Sequence, residues 1–561
     1  MGEQNLFDSF DEIAVREDGE VHWAARAPYR PEPGFDLMLV PRVPDWWDHE
    51  APRQALERIE AEPWVDSVSK TGDAVRLRLD DEWLETAGAE LEAGEGALAN
   101  GDLASGKNFA VYFWGANTTK ALHVGHLRNL AVGNAIGASL AQAGGRVEHR
   151  SLICDVGRSM GEAMAGVVSK GGEEQVWPEG DEKSDHFVGS CYADYVKAGR
   201  NGGDDGAEDS VAREEALYND RADELMMRVL DGDQQAIELW SKTRAWVISG
   251  QRKTLARLGV AFDKVIFESD FLPEVAELTN LGLGEGTLTR RYADDMVMYE
   301  TRRGELEEMP LVRADGLPTQ HMRALAYWSA APELDDCVSL QVCGNEWVSH
   351  VTCRRQLIDA LGVTNGNGNG SKKGGGPPTH DIFHGMVARD RQSISSSKQG
   401  ALLIDDLVEW IDGEIAGHPE GERIRAAHPA PDRIAAQVAL GYFLLHPTTK
   451  QVDFATDKLL RENKESIGWD LARGQAHRGG AATLAGDRPA ADPDYRFAVV
   501  QAEMYRRHLR SAVESFDSIQ LARYLSHFSR WYCEAERPPE VERVVQAVLD
   551  RGAAGLGLGG S

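Results

Sequence analysis

The sequence predicts an α/β protein with a helical C-terminal part, and three patterns carry that prediction. An apolar run, Phe109-Ala110-Val111-Tyr112-Phe113, reads as a buried strand and leads through a short turn into a helix pattern, Leu127 to Ile136. Earlier in the chain, Val75-Arg76-Leu77-Arg78-Leu79 alternates at period two, as a half-buried strand does. Beyond about residue 425 the apolar residues recur at helical spacing, as in Leu521, Leu525, Phe528 and Tyr532, or Val541, Val544 and Val548.

Other elements follow in order. The first hundred or so residues are acidic and mixed in pattern. Between about 170 and 215 a charged stretch with Gly202-Gly203-Asp204-Asp205-Gly206 reads as a loop or disordered insertion. Ile237, Trp240, Val247, Leu255 and Leu258 then mark a long helix, with Gly259 placed as its C-terminal cap. Asn365 to Gly376 is low-complexity and reads as a flexible surface loop. Asp517 or Ser518 is a candidate N-cap for the helix carrying Leu521. The tail Gly555 to Ser561 is too glycine-rich to hold structure unaided.

Composition narrows the function classes. At 561 residues the chain is long enough for three or four domains. No apolar run of about 18 residues occurs and the N-terminus has neither a basic nor an apolar segment, so neither a membrane span nor a secretory signal is expected. The six cysteines form no C-x-x-C pair, which argues against structural zinc and a disulfide framework and fits a reducing cytoplasm; no metal ligand set is expected. The formal charge of -31 means that any contact with nucleic acid is made against a repulsive background. The late basic cluster Arg506, Arg507, His508 and Arg510 is a candidate nucleic-acid contact or a solvated helix face, and Arg473 is a phosphate contact or a solvated arginine.

The chemistry concentrates in Asn117 to His126, N-T-T-K-A-L-H-V-G-H. The turn joins the strand at 109–113 to the next helix. Gly125 between the histidines lets a ligand approach the backbone. The helix N-terminus is expected to present free N–H groups and a positive dipole end to a phosphate. Two imidazoles there, His123 and His126, can donate hydrogen bonds to charge developing on a phosphoryl oxygen.

These residues resemble the first catalytic motif of class I aminoacyl-tRNA synthetases, most of all the arginyl family. Further segments resemble it in order: Arg257 to Asp263 with Phe267-Glu268-Ser269, Asp315 to Thr319 with Arg323 to Tyr327, Lys450 to Leu460, and Leu521 to Leu525. Together they span roughly residues 60 to 555. The resemblance implies three parts: an α+β domain at 1–105, a Rossmann-type catalytic domain with insertions at 106–425, and an α-helical anticodon-binding-like domain at 426–561. It implies ATP and Mg2+ as cofactors, with an amino acid attacking the α-phosphate to give an aminoacyl-adenylate and the acyl group then passing to tRNA, in a monomeric enzyme. By the same resemblance His123, His126 and Lys120 act on the phosphates and Gly125 admits the nucleotide. Ser395 and Ser396 lie in the second motif, where Lys398 stands as a displaced phosphate lysine. Asn117, Glu268, Gln320, Ala324 and Trp347 correspond to the amino-acid pocket.

The chain departs from the family pattern in two places. Ser393-Ile394-Ser395-Ser396-Ser397-Lys398 replaces K-M-S-K-S, with neither lysine in register. In the pocket a tyrosine has become Gln320, an aspartate Ala324 and a glutamine Trp347. Losing one carboxylate partner of a desolvated guanidinium costs a few kcal/mol, roughly a hundredfold or more in affinity. Two expectations follow. One is an arginyl-type ligase; the other is a diverged paralogue in specialised metabolism, using an activated or tRNA-borne amino acid, not necessarily arginine, to acylate a small molecule.

Overall fold

The structure, a computed structural model, describes residues 6–8, 10, 23–32, 34–42, 45–171, 183–201, 221–300, 308–330, 337–363, 379–389, 392–393, 402–460, 466–477, 483–484 and 487–559. Near the N-terminus β1 (Trp23–Arg26), β2 (Leu37–Pro41), β3 (Val65–Thr71) and β4 (Ala74–Leu79) form an antiparallel sheet in the order β1-β2-β4-β3. The period-two pattern places Val75, Leu77 and Leu79 on its buried face. Helices α1 (Glu50–Glu60) and α2 (Asp81–Glu92) flank the strands, and the Asp80 carboxylate caps α2 by accepting the Trp83 N–H.

The central sheet has five parallel strands. In chain order come β5 (Asn108–Tyr112), α3 (Val124–Gln142), β6 (Arg146–Ile153), α4 (Arg158–Gly171), α5 (Ser184–Asn201), α6 (Gln234–Leu258), β7 (Lys264–Phe267) and α7 (Leu272–Gly284). A small antiparallel sheet follows, β8 (Thr289–Arg290), β9 (Val297–Glu300) and β10 (Glu308–Val312), and then α8 (Gln320–Ala330), β11 (Val338–Gly344), α9 (Val348–Ala360) and β12 (Thr379–His384). The parallel order β12-β11-β5-β6-β7 puts β5 in the middle, which is why its residues are apolar without alternation. Helix α3 lies close against this sheet. A Cβ on Gly133 would fall 2.4 Å from the Phe113 ring and one on Gly137 2.0 Å from the His149 ring, so two small residues set the approach.

The long helix ends as its sequence predicts. Gly259 caps α6 with φ 74°, a conformation glycine adopts without strain. The stretch from 170 to 215, read as a loop, holds α5 instead. Val188, Cys191 and Tyr195, at helical spacing, bury one face of that helix against α4 and α6; the charged and glycine-rich flanks masked the short stripe. Gly202 to Gly206 and Asn365 to Gly376 lie outside the described residues.

After β12 come β13 (Val387–Arg389) and β14 (Gln392–Ser393), then α10 (Ile404–Gly417), α11 (Gly421–Ala427), α12 (Ile434–Leu444), β15 (Val452–Asp453), α13 (Ile467–Ala476), α14 (Pro493–Ser515), α15 (Ile519–Cys533) and α16 (Pro539–Gly555). The stripes through Leu521 and Val541 meet in the buried core of these helices. Ser518 occupies the cap position of α15, but the Asp517 carboxylate accepts the Ile519 N–H at 3.0 Å.

Three readings of the C-terminal part change. Arg506 is buried between Asp8 and Asp102, and Arg510 also meets Asp8, so this basic cluster clamps the N-terminal segment to α14 rather than facing solvent. Arg473 is held by Glu420 at 3.0 Å with little exposure. The tail is held with help from α3: the Asn134 amide donates to the Gly557 carbonyl, the Ser139 hydroxyl to that of Gly555, and Leu556 and Leu558 are buried.

Candidate active site

The turn between β5 and α3 is built by its own histidines. His123 is the N-cap of α3, and its Nδ1 accepts the Gly125 N–H at 3.1 Å. His126 reaches back so that its Nδ1 accepts the His123 N–H at 3.1 Å, completing a reciprocal capping box. With both Nδ1 atoms accepting, the proton of each neutral ring sits on Nε2. Burial, with Lys120 nearby, lowers the His123 pKa to about 4 and holds His126 well below its usual value, so both rings are neutral near pH 7. Their centroids are 3.9 Å apart.

This corrects one expectation. The first N–H groups of α3 are not free: Val124 donates to the Leu402 carbonyl at 3.0 Å, Gly125 to His123 Nδ1, and His126 to the His123 carbonyl at 2.8 Å. The donors left for an anion are the two Nε2–H groups. The physical reason is local: imidazole replaces serine or aspartate as the cap and satisfies the backbone itself.

Longer contacts fix the turn in place. The Gln251 amide of α6 donates to the carbonyls of Asn117 and Lys120, and the Thr118 N–H donates to the Cys154 carbonyl at the end of β6. Burial lowers the Lys120 pKa. Leu402 and Ile404 pair with Leu122 and Val124, so the chain leaving the second motif runs beside the first. Ser395, Ser396 and Lys398 themselves lie outside the described residues.

Next to the turn opens a cavity of about 230 Å³. Gly125 and His126 border it, as do Glu268, Gln320, Ala324 and Trp347, four of the five residues assigned to the amino-acid pocket. Asn117 borders a neighbouring cavity that shares Cys154 and Gln320 with the first. Glu268 is 3% exposed and its carboxylate accepts from Arg323 Nε at 2.7 Å. Burial opposes the charge on Arg323, but the Cys154 thiol and Glu268 beside it outweigh burial and hold the guanidinium above its ordinary pKa. His321 and His350 stack at 4.2 Å beside Trp347, and burial brings the His321 pKa to about 4.

Sequence reasoning missed several residues that shape this place. Arg128 is fully buried and donates to the carbonyls of Gly385, Pro447, Thr448 and Lys450, tying α3 to the segments before β13 and β15. Asn129 accepts the Trp114 N–H and donates to the Val342 carbonyl, both at 2.8 Å, bridging β5 and β11 at the cavity edge. A lone arginine inside the apolar run Leu127 to Val132 was the available signal for the first of these.

Among the described residues, Asp185, His186 and Asp405 are the side chains close enough together to hold a metal. They do not fit one, because the Lys183 ammonium already lies 3.1 Å from Asp185 and 2.7 Å from Asp405. That cluster is a salt-bridge hub joining α5, α6 and α10.

The parallel sheet thus carries paired imidazoles that cap the helix after its middle strand. Residues 95–285 match the family described as tRNA synthetases class I (R), catalytic domain. The arginine--tRNA ligase of Borrelia hermsii is 27% identical over 352 residues, 60% of this chain and 55% of that one. That of Bacteroides thetaiotaomicron is 28% identical over 341 residues, again 55% of its length. The chain thus spans about half the length of the curated relatives it matches. The fold is that of Thermus thermophilus arginyl-tRNA synthetase (TM-score 0.67, 18% identity, 99% of each chain covered). The Plasmodium falciparum arginyl-tRNA synthetase has a TM-score of 0.64 at 13% identity, with 100% of this chain and 99% of that one covered.

Proposed function

We propose that the protein activates an amino acid with ATP, releasing pyrophosphate from an aminoacyl-adenylate, and transfers the acyl group to tRNA. The observation that carries this reading is the tautomer lock at the head of α3. Two neutral imidazoles have their Nδ1 atoms committed to the backbone, which leaves their Nε2–H groups as donors, with His126 bordering the cavity. Those donors suit the negative charge that grows on the α-phosphate oxygens as the carboxylate attacks. Lys120 lies close enough to lower the pKa of both rings and would add positive charge on the same side. Lys398, four residues before Leu402 in the chain, would add a further positive charge. Ser395 and Ser396 would approach the nucleotide from the same loop, and Gly125 would let it lie close to the backbone. Asn117, Glu268, Gln320, Ala324 and Trp347 would surround the amino acid.

The relatives named as arginine--tRNA ligases support tRNA as acceptor. No described helix is long and apolar enough to cross a membrane, and all six cysteines are free thiols, which suits a reducing cytoplasm. A monomer with parts at 1–105, 106–425 and 426–561 is the arrangement we assign. Amino-acid-dependent ATP–pyrophosphate exchange, with and without total tRNA, tests the reading. Exchange with one amino acid supports it. No exchange with any amino acid, with tRNA present, overturns it.

A further inference from the structure

We propose that the amino acid taken by this pocket carries an uncharged, apolar or aromatic side chain rather than a guanidinium. The inference rests on the reading of the cavity beside α3 as the amino-acid site of an adenylate-forming enzyme. The charged side chains bordering the cavity are Glu268, Glu346 and Arg354. Glu268 is buried and already neutralised by Arg323, whose guanidinium also donates to the Cys154 thiol at 3.2 Å. A second guanidinium would have to share that carboxylate with Arg323, like charge beside like charge. Glu346 is exposed, so water screens it.

The fixed charge on the opposite wall is positive. Arg354 lies across the Trp328 ring, 5.2 Å from its centroid, and donates to Gln341 Oε1 at 2.6 Å. That contact also occupies the amide oxygen of Gln341. His321 and His350 are held neutral by burial, with pKa values below the usual imidazole value, so they add no charge at pH 7. Among the described residues, with Arg323 counted behind Glu268, the site sums to zero and offers no buried, unpaired carboxylate. A guanidinium brought from water would lose its hydration without an ionic partner. What the cavity offers is surface: the indoles of Trp328 and Trp347, the small Ala324, Val342 and Val351. Such walls favour an apolar body.

The test is equilibrium binding of non-hydrolysable aminoacyl-sulfamoyl adenosines to the full chain, one analogue for each amino acid, by calorimetry. An apolar or aromatic analogue binding at least tenfold tighter than the arginyl one is the expected result. An arginyl, lysyl, acidic or polar analogue binding tightest overturns the inference and leaves the adenylate reading standing. Failure of every analogue to bind overturns both. A second arm uses Ala324→Asp, with circular dichroism to verify folding. The new carboxylate should tighten the arginyl analogue at least tenfold and weaken the apolar one. An unchanged order of affinities in a folded variant overturns the claim that missing charge sets the selection.

Discussion

At the head of α3 the imidazoles are satisfied by residues at most three positions away, His123 by Gly125 and His126 by His123. In the neighbouring cavity Glu268 finds Arg323 fifty-five positions along the chain. The first region uses side chains to finish a helix and leaves donors over for a ligand. The second uses an ion pair to cancel its own charge and leaves a largely neutral wall. One half of the site therefore keeps electrostatic capacity for phosphate, and the other half has spent its charge internally. The face of an aromatic ring could attract a guanidinium by about 0.5–2 kcal/mol. Leaving a buried charge unpaired costs about 3–5 kcal/mol. The second effect wins, which is why the pocket is assigned to an uncharged side chain.

The contrast can be broken most severely at Arg323. Replacing it by methionine strands Glu268 in the interior and should cost about 3–5 kcal/mol of stability. Urea unfolding measures this, and a loss under about 1 kcal/mol would mean the pair does not neutralise the pocket. His123→Asn keeps a side chain able to cap α3 but removes an Nε2–H. Stability should hold within about 0.5 kcal/mol while pyrophosphate exchange falls by about 10²–10³-fold. A variant losing both equally would show the ring to be only a cap.

Acidification tests the neutrality of the imidazoles. His123, His321, His384 and His508 each have a folded pKa of about 4, against about 6.5 unfolded, with burial the main cause. Between those values the unfolded chain takes up protons that the folded chain refuses, so stability falls as pH drops from 7 toward 5. Glu503 works the other way, because burial raises its pKa to about 7 and the folded state is the one that gains the proton. Four sites against one predict a net loss of about 5 kcal/mol from pH 7 to pH 5, read as a lower Tm. A Tm that rises over that range would contradict the neutral assignment.

Smaller effects separate the two regions further. Asn129→Leu leaves the Trp114 N–H and the Val342 carbonyl without their shared partner, at about 1–3 kcal/mol by chemical denaturation. Arg510→Ala, far from the cavity and partly exposed, should cost at most about 1 kcal/mol and leave exchange kinetics unchanged.

Much of the scaffold was legible because its causes are local. The apolar run before the turn, the period-two strand at Val75 and the glycine that stops α6 each follow from neighbouring residues alone. The helix carrying Val188 was missed because charged and glycine-rich flanks drowned a stripe of three residues. The free N–H groups expected at the head of α3 were misread because a histidine is a rare cap, and because the Leu402 carbonyl arrives from some 280 positions away. The clustering of Glu268, Gln320, Ala324 and Trp347 around one cavity came from motif resemblance, and no spacing in the chain announces it.

The chain by itself determined the strand-turn-helix, its two imidazoles and the glycine between them, since periodicity and capping act over a few residues. Only the folded structure decided which charges remain available. Whether a carboxylate is free depends on what reaches it from a distant part of the chain, and Arg323 arrives at Glu268 only once α8 packs against the turn that follows β7.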